Sequence, residues 1–273
     1  MTMSIVIPTF NRADLVTKAI DSALNQTLPC EVIVCDHGST DNTPEVVRAY
    51  GNRVRYIRRA KDFGPLYCFL EGVMHSKGEF TSLLIDDDWL DPCFAERCLP
   101  LMKDDVGMCF GRAQIVNTSS DAKGELIYDG LAPKTGVHLV KTVEKRLRRT
   151  IITPVGVIYR RQIMLDALTV GRLPLQEHEF FCVGPDRMMT LLSMLRYPKM
   201  GFVNERVAYL GAHPGSITVD AHRKPEVLDA MMDAYQECDD YYLLMKRARP
   251  FREVLWAIRK LRRRFFGWRK PRS

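Results

Sequence analysis

Short apolar runs alternate with longer amphipathic stretches along the first part of the chain. The runs are rich in β-branched residues, which predicts buried strands, and their sequences are SIVIP, EVIVC, VRYI and FTSLLI. The stretches between them have apolar residues at helical spacing. The first of these follows Asn11, which we expect to cap a helix together with Asp14. This alternation predicts an α/β fold with a mostly parallel central sheet flanked by helices.

Polar segments follow three of the predicted strands. PTFNR follows the first strand, DHGSTD the second and DDDW the fourth. Ligands of parallel α/β sheets bind beyond the carboxyl ends of the strands, so these segments predict one common site. The adjacent carboxylates Asp86, Asp87 and Asp88 suit Mg²⁺ or Mn²⁺, which prefer oxygen ligands. The alternative is that the three acids only cap the following helix, since acids favour helix N-termini.

Composition is that of an ordinary globular protein, with 46% hydrophobic and 27% charged residues. No apolar run approaches the roughly 18–20 residues that a membrane-crossing helix needs. The N-terminus has no basic region before its short apolar patch. We therefore interpret it as the first strand rather than a signal peptide, and expect a cytoplasmic protein. The eight cysteines form no C-x-x-C pair, which argues against a zinc site or a disulfide framework.

Basic residues are concentrated at the C-terminus. Residues 246–273 contain twelve Lys or Arg and one acid, so their net charge of +11 exceeds the +7 of the whole chain. From Phe251 onward, apolar residues recur at helical spacing, at Val254, Leu255, Ile258, Leu261, Phe265 and Trp268. We therefore predict a basic amphipathic tail over residues 245–273.

A basic amphipathic helix is typical of proteins that lie on an anionic membrane surface, and we predict that partner for residues 246–273. The same charge would also support nucleic-acid binding, but we expect no nucleic-acid partner. A third alternative is a helix that packs on the body of the protein and leaves its arginines in water.

Six motifs, in order along the chain, resemble those of family 2 glycosyltransferases. They cover about residues 4–218 and are SIVIPTFNR, EVIVCDHGSTDNT, SKGEFTSLLIDDDWLDP, TPVGVIYRR, GPDRMMTLLSML and HPGSIT. The resemblance implies a Rossmann-like fold of the glycosyltransferase A type. It also implies a UDP- or dTDP-sugar as the donor and an inverting mechanism that depends on Mn²⁺ or Mg²⁺.

The resemblance assigns the nucleotide to the ends of the first two strands. Pro8 and Thr9 match the family segment that contacts the base, and Asp36 matches an acid that hydrogen-bonds the base or the ribose. His37 stands where the family usually has a second acid. It is therefore expected either at the base or as an ordinary exposed turn residue.

Metal and diphosphate contacts are assigned to two further motifs. Counted back from the proline of WLDP, Asp87 matches the metal ligand and Asp86 lies toward the ribose, whereas a plain D-x-D spacing pairs Asp86 with Asp88. The register of the ligands within these three aspartates stays open. His213 matches a loop that closes over the donor diphosphate and is expected at the metal or the phosphate, with a purely structural turn residue as the alternative. Gly211 replaces an Arg that usually stands two residues before this His.

The family's catalytic base is the Asp of a Glu-Asp pair that opens a helix. Asp186 matches it, with Pro185 in place of the Glu. A helix that begins here would put the carboxylate at a helix N-terminus, where it serves either as general base or only as a cap. Glu177 and Glu179 are rival candidates for the base.

These expectations combine into one predicted function. The protein would be a metal-dependent inverting glycosyltransferase, peripheral on the inner face of the cytoplasmic membrane, that transfers a sugar to a glycan or lipid-linked acceptor in cell-surface polysaccharide synthesis. Residues 1–115 would bind the nucleotide sugar, residues 116–220 the acceptor, and residues 221–244 would add a helix. A nucleotidyltransferase on a related fold and a non-catalytic nucleotide-sugar-binding partner are the alternatives.

Overall fold

The computed structural model describes residues 2–120, 122–169, 184–213 and 224–266. Within these ranges the strands are β1 (Met3–Thr9), β2 (Glu31–His37), β3 (Arg55–Arg59), β4 (Phe80–Leu83), β5 (Trp89–Leu90), β6 (Val106–Asn117), β7 (Lys123–Ile127), β8 (Gly136–Leu139), β9 (Val157–Arg160) and β10 (Lys199–Ala212). The α-helices are α1 (Ala13–Leu24), α2 (Thr43–Arg48), α3 (Pro65–His75), α4 (Phe94–Cys98), α5 (Val140–Leu147), α6 (Arg161–Thr169), α7 (Pro185–Arg196) and α8 (Pro225–Phe266).

The strands form one mixed sheet in the order β3-β2-β1-β4-β9-β6-β10-β5, with β7 beside β6 and β8 beside β10. Strands β1 to β4 pair in parallel, and every residue of β1 is buried. Helices α1 and α3 pack against β1. Continuous burial of a strand is what a sheet covered by helices requires. The predicted α/β fold, a central sheet flanked by helices and followed by a C-terminal helix, is confirmed.

Antiparallel pairs extend the sheet beyond β4. Strand β9 lies antiparallel between β4 and β6, and β10 runs parallel to β6. The far end of β10 pairs with β5, where Tyr209 stands opposite Trp89 and stacks on its ring at a centroid distance of 5.2 Å. This pairing fixes the end of β10 beside the segment that carries Asp86, Asp87 and Asp88.

The predicted capping role of Asn11 is wrong. Helix α1 is preceded by Arg12, and Asn11 has a φ of 52°, in the left-handed region. Its side-chain oxygen accepts hydrogen bonds from the backbone N–H groups of Thr40 at 2.8 Å and Asp41 at 3.4 Å. Asparagine tolerates this backbone conformation, so the residue joins the loop after β1 to the loop after β2 instead of starting the helix.

Helix α8 has an inner half that packs on α7 and an outer half in solvent. Ala234, Cys238 and Tyr242 of the inner half are buried. From Phe251, which is 76% exposed, the described side chains of α8 are all exposed. Helix α8 runs without a break through residue 244, where we expected the catalytic domain to end, and β6 likewise runs through residue 115. The predicted division into functional parts therefore stays a prediction.

Two further properties concern the apolarity of the helices and the state of the cysteines. None of the helices in the described ranges combines the length and apolarity that crossing a bilayer demands. Seven cysteines of the described residues are free thiols, and Cys182 lies outside those residues.

Candidate active site

Asp86 and Asp88 are buried carboxyl groups just beyond the carboxyl end of β4. Asp86 is 6% exposed, and its Oδ2 accepts a hydrogen bond from the Thr9 hydroxyl at 2.8 Å. Burial raises the pKa of Asp86 to about 6, although the Thr9 hydrogen bond opposes the shift. Burial, followed by the charge of Asp87, raises the pKa of Asp88 well above its usual range. Both groups therefore lie where a bound cation would stabilise their charged forms.

Asp87 lies in a different environment from its two neighbours. Its side chain is 15% exposed, and its Oδ2 lies 3.1 Å from Nε2 of His213 and 3.8 Å from Nη1 of Arg12. The structure thus brings together Asp87 and His213, which are 126 residues apart in sequence. Arg12 was not among the predicted site residues, although its position in the PTFNR segment after β1 could have indicated it.

Gly211 departs from the family pattern for a steric reason. Its backbone N–H donates to Asp88 Oδ1 at 2.8 Å. A Cβ at this position would lie 2.2 Å from the carbonyl oxygen of Asp87, so no side chain fits while β10 approaches so closely. The backbone of β10 thus supplies a donor to the aspartates at the position where the family usually has an Arg.

Asp36 is completely buried at the carboxyl end of β2, opposite Thr9 in the β1–β2 register. Its Oδ1 accepts from the Ser39 N–H at 2.8 Å. Its Oδ2 accepts from the Tyr56 hydroxyl at 2.5 Å and lies 3.3 Å from Nε of Arg58. Several donors already satisfy this carboxylate, so it organises the loop after β2, and its contact with a nucleotide stays a prediction.

His37 is 1% exposed, so the alternative of an ordinary exposed turn residue is wrong. Its Nε2 lies 3.1 Å from Glu71 Oε2 on α3, and the same oxygen accepts from Arg59 Nε at 2.7 Å. Sequence reasoning missed Glu71, whose position within the apolar helix sequence PLYCFLEGV is the signal that could have found it. Nucleotide binding by His37 stays a prediction.

Asp186 lies in the first turn of α7, where the sequence placed it. It is deep in the fold but partly accessible, and burial raises its pKa. Three hydrogen bonds oppose this shift: Oδ1 accepts from the Arg187 and Gly184 N–H groups, and Oδ2 accepts from the Tyr235 hydroxyl. A partly accessible carboxylate with a raised pKa suits a general base. The rival bases Glu177 and Glu179 lie outside the described residues.

The buried phenol of Tyr128 is influenced by the charges of both the base candidate and the aspartate segment. Its phenol is buried, and burial raises its pKa to about 12, with the negative charges of Asp186 and Asp88 adding to the shift. Both carboxylates therefore lie within electrostatic reach of one side chain.

The donor set fits a hard divalent cation that takes part of its coordination from substrate. In the described part of the chain, no three His, Cys, Asp or Glu side chains converge on one metal-sized position. Mg²⁺ and Mn²⁺ sites that serve nucleotides need few protein carboxylates, because phosphate oxygens and waters complete the shell. Buried Asp86 and Asp88, which lack a cationic partner in direct contact among the described residues, match that requirement.

The glycosyl transferase family 2 model matches residues 4–165. The chain belongs to glycosyl transferase family 2. Both the predicted family and the predicted enzyme class are confirmed.

Relatives in this family match about half of the chain. It is 37% identical over 132 residues to the chondroitin synthase of Pasteurella multocida strain Pm70, a match that covers 47% of this chain and 13% of that protein. The hyaluronan synthase of Pasteurella multocida matches with the same identity and shares. This chain therefore spans a small part of these relatives. The Escherichia coli protein WfgD, a UDP-Glc:alpha-D-GlcNAc-diphosphoundecaprenol beta-1,3-glucosyltransferase, is 25% identical over 56% of this chain and 62% of its own length.

Solved structures share the family 2 fold. TarS of S. aureus, residues 1–349 in complex with UDP-GlcNAc, superposes with a TM-score of 0.63 and 20% identity over 79% of this chain and 60% of its own. Glucosyl-3-phosphoglycerate synthase of Mycobacterium tuberculosis, in complex with Mn²⁺, UDP and its product, has a TM-score of 0.50 at 15% identity and covers 86% of this chain and 80% of its own.

Replacing Gly211 by Ala tests the close approach of β10 to the aspartates. The added Cβ has no room beside the Asp87 carbonyl, so we expect a loss of about 1–3 kcal/mol in the free energy of unfolding, measured by urea denaturation. Gly124→Ala is the control, because its Cβ would lie 3.6 Å from Ile115 in ordinary contact. Equal losses in the two variants would contradict the steric explanation.

Proposed function

We propose that this family 2 protein is a metal-dependent inverting glycosyltransferase. It transfers a sugar from a UDP- or dTDP-sugar to a hydroxyl of a glycan or lipid-linked acceptor in cell-surface polysaccharide synthesis. The observation that carries the proposal is the cluster at the end of β4, where Thr9 binds Asp86, His213 lies 3.1 Å from Asp87, and the Gly211 N–H binds Asp88. Relatives named for polysaccharide synthesis, and a UDP-glucose-dependent relative, support the substrate class.

The donor nucleotide is proposed to lie over the ends of β1 and β2. Thr9, next to Pro8 at the end of β1, contacts both neighbouring segments. Its backbone pairs with Asp36 of β2, and its hydroxyl binds Asp86 after β4. Asp36 keeps the loop after β2 in place through Ser39, which also accepts a hydrogen bond from the Asn11 N–H. These contacts support a rigid platform for base and ribose at this edge of the sheet.

Asp86, Asp87 and Asp88, with His213 beside Asp87, are the residues proposed to hold Mn²⁺ or Mg²⁺. The cation would neutralise charge on the departing nucleoside diphosphate. The complex of the fold neighbour from Mycobacterium tuberculosis contains Mn²⁺ and UDP, which supports the choice of metal. Arg12, 3.8 Å from Asp87 and 32% exposed, is placed to add a second positive charge near the phosphates.

Asp186 is proposed as the general base of a single displacement. Its carboxylate takes the proton of the acceptor hydroxyl while that oxygen attacks the anomeric carbon and the bond to the nucleoside diphosphate breaks. Burial raises its pKa, which increases its affinity for the proton at neutral pH. The base must be ionised, so transfer is expected to fall as the pH drops through this raised pKa.

Two departures from the family pattern, Pro185 and Gly211, would favour the non-catalytic alternative, but each has a structural explanation. Pro185, in place of the family's Glu, is at the first position of α7, which proline favours because its missing N–H has no partner there. Gly211 permits the close approach of β10 and its hydrogen bond to Asp88. Both departures from the pattern therefore preserve the geometry of the site.

Asp186→Asn tests the base. The amide keeps the shape of the side chain and removes its basicity, so we expect transfer to fall by about 10²-fold or more. Binding of the donor, measured by calorimetry, should stay near that of the wild type. Asp240→Asn, at an exposed carboxylate of α8, is the control. Transfer near the wild-type rate in Asp186→Asn would move the assignment to Glu177 or Glu179.

Asp87→Ala tests the metal–nucleotide site. We expect UDP and dTDP to lose the part of their affinity that depends on Mn²⁺. The substitution removes the Asp87 carboxylate, which is a proposed ligand of the cation that also binds the phosphates. Calorimetric titration with and without Mn²⁺ measures this, and a thermal melt checks that the variant is folded. Asp104→Ala, at an exposed acid, should bind normally. Unchanged affinity in Asp87→Ala would refute the assignment.

The outer half of α8 is proposed to lie on the anionic inner face of the cytoplasmic membrane. Its apolar stripe includes Leu255 and Ile258, which are 54% and 46% exposed. Trp256 lies off that stripe, with Lys260 Nζ 5.2 Å from its ring centroid. Exposed apolar residues on one side and basic residues on the other fit the interface of an anionic bilayer, where each Lys or Arg contributes about 1 kcal/mol.

A pair of serine substitutions tests this membrane contact. Leu255→Ser with Ile258→Ser should abolish sedimentation with anionic liposomes, since apolar burial is lost while the charge is unchanged. Trp256→Ser, off the stripe, should still bind. Binding of the wild type should weaken as salt rises, because the electrostatic part is screened. Equal binding by both variants would contradict the assigned stripe.

A further inference from the structure

Helix α8 holds the first turn of α7, which carries the proposed base. Tyr235 of α8 donates its hydroxyl to Asp186 Oδ2 at 3.2 Å. Asp239, one helical turn further on, accepts from Arg187 Nε at 2.9 Å and Nη2 at 2.7 Å. Residues four apart lie on the same face of a helix, so a single face of α8 forms hydrogen bonds with two successive residues of α7.

The Arg187 side chain is buried and held by several hydrogen bonds. Its side chain is 2% exposed, and it also donates to the backbone carbonyls of Leu147 at 2.9 Å, Arg148 at 2.7 Å and Thr150 at 2.9 Å. A buried guanidinium with this many partners cannot shift without leaving donors unsatisfied. The backbone at Asp186 is therefore held rigidly, and the orientation of its carboxylate is decided by its own hydrogen bonds.

Those hydrogen bonds leave one lone-pair position of the Asp186 carboxylate free to accept a substrate proton. An ionised carboxylate has about four lone-pair positions. At Oδ1, the Arg187 N–H at 2.7 Å and the Gly184 N–H at 3.2 Å occupy two of them. At Oδ2, the Tyr235 hydroxyl occupies a third. The remaining position is on Oδ2, on the side that Tyr235 does not cover.

We propose that Tyr235 is a positioning residue for the transfer reaction, whose hydroxyl turns the free lone pair of Asp186 Oδ2 toward the acceptor hydroxyl. The proposal rests on the proposed function of Asp186 as the base. Tyr235 itself is partly exposed. The residue lies 49 positions from Asp186 and belongs to none of the sequence motifs.

The groups around Asp186 fix the direction of the expected change in pH dependence. Among the described residues, α7 contributes Arg187, α8 contributes Tyr235 and Cys238, and the sheet side contributes Tyr128 and Tyr159. Arg187 and the Tyr235 hydrogen bond lower the pKa of Asp186, against the effect of burial. Removing the hydroxyl therefore raises this pKa further and moves the acid limb of the reaction to higher pH.

Tyr235→Phe is the test, and Tyr242→Phe is its matched control. Tyr242 lies seven residues along the same helix and donates to a carboxylate outside the site, Glu144 Oε1, at 3.0 Å. Transfer is followed as release of UDP or dTDP from the nucleotide sugar that gives the largest thermal shift in Mn²⁺. We expect Tyr235→Phe to lower kcat about tenfold, to leave the donor KM unchanged and to move the acid limb to higher pH. Tyr242→Phe should change neither kcat nor the pH profile.

A wild-type kcat and acid limb in Tyr235→Phe would overturn the positioning role, even if the variant melts at a lower temperature. Failure of the base itself is distinguished by Asp186→Asn, which would then retain transfer. A double-mutant cycle needs no substrate: the loss in urea midpoint caused by Tyr235→Phe should be smaller in an Asp186→Ala background than in the wild type. Equal losses would show that the two side chains do not interact and would overturn the proposal.

Discussion

Thr9 stands opposite Asp36 because β1 and β2 run parallel and in register, and β1 pairs on its other side with β4. The site depends on this constraint. Parallel pairing puts the carboxyl ends of all three strands at one edge, so residues far apart in sequence meet there. The Thr9 hydroxyl then binds Asp86 directly, 77 residues away. A slip of one residue in either pairing would turn Thr9 to the other face of the sheet and separate these groups.

Burial of acidic groups in the candidate site has an energetic cost, which a bound substrate complex can offset. Asp86, Asp88 and Asp186 all have raised pKa values, and burial is the largest cause in each case. Charged carboxylates in such surroundings are destabilising until a cation or a proton-donating partner approaches. The two environments also differ, since backbone and phenol donors support Asp186, while a neighbouring negative charge disfavours ionisation of Asp86 and Asp88. This difference is consistent with one site for a proton and another for a metal–diphosphate.

Helix α8 joins two parts of the proposed mechanism. Its inner half holds the first turn of α7 through the buried Arg187–Asp239 pair, and its outer half exposes apolar residues that include Phe251 and Leu255. Between these halves, Lys246 forms an ion pair with Glu144 of α5. If the outer half lies on a membrane as proposed, one helix would connect that contact with the proposed base.

The sequence by itself determined the alternation of strands and helices, the edge at which the polar segments meet, the family, and the position of Asp186 at the start of a helix. These follow from local periodicity, turn chemistry and ordered motifs, which a single chain displays directly. Only the tertiary structure decided that Asn11 joins two loops, that His37 is buried against Glu71, that Gly211 has no room for a side chain, and that Tyr235 binds Asp186. Each of these depends on a contact between segments that are far apart in sequence. No local sequence pattern records such a contact. Tertiary packing creates those contacts, so residue type and spacing could not reveal them.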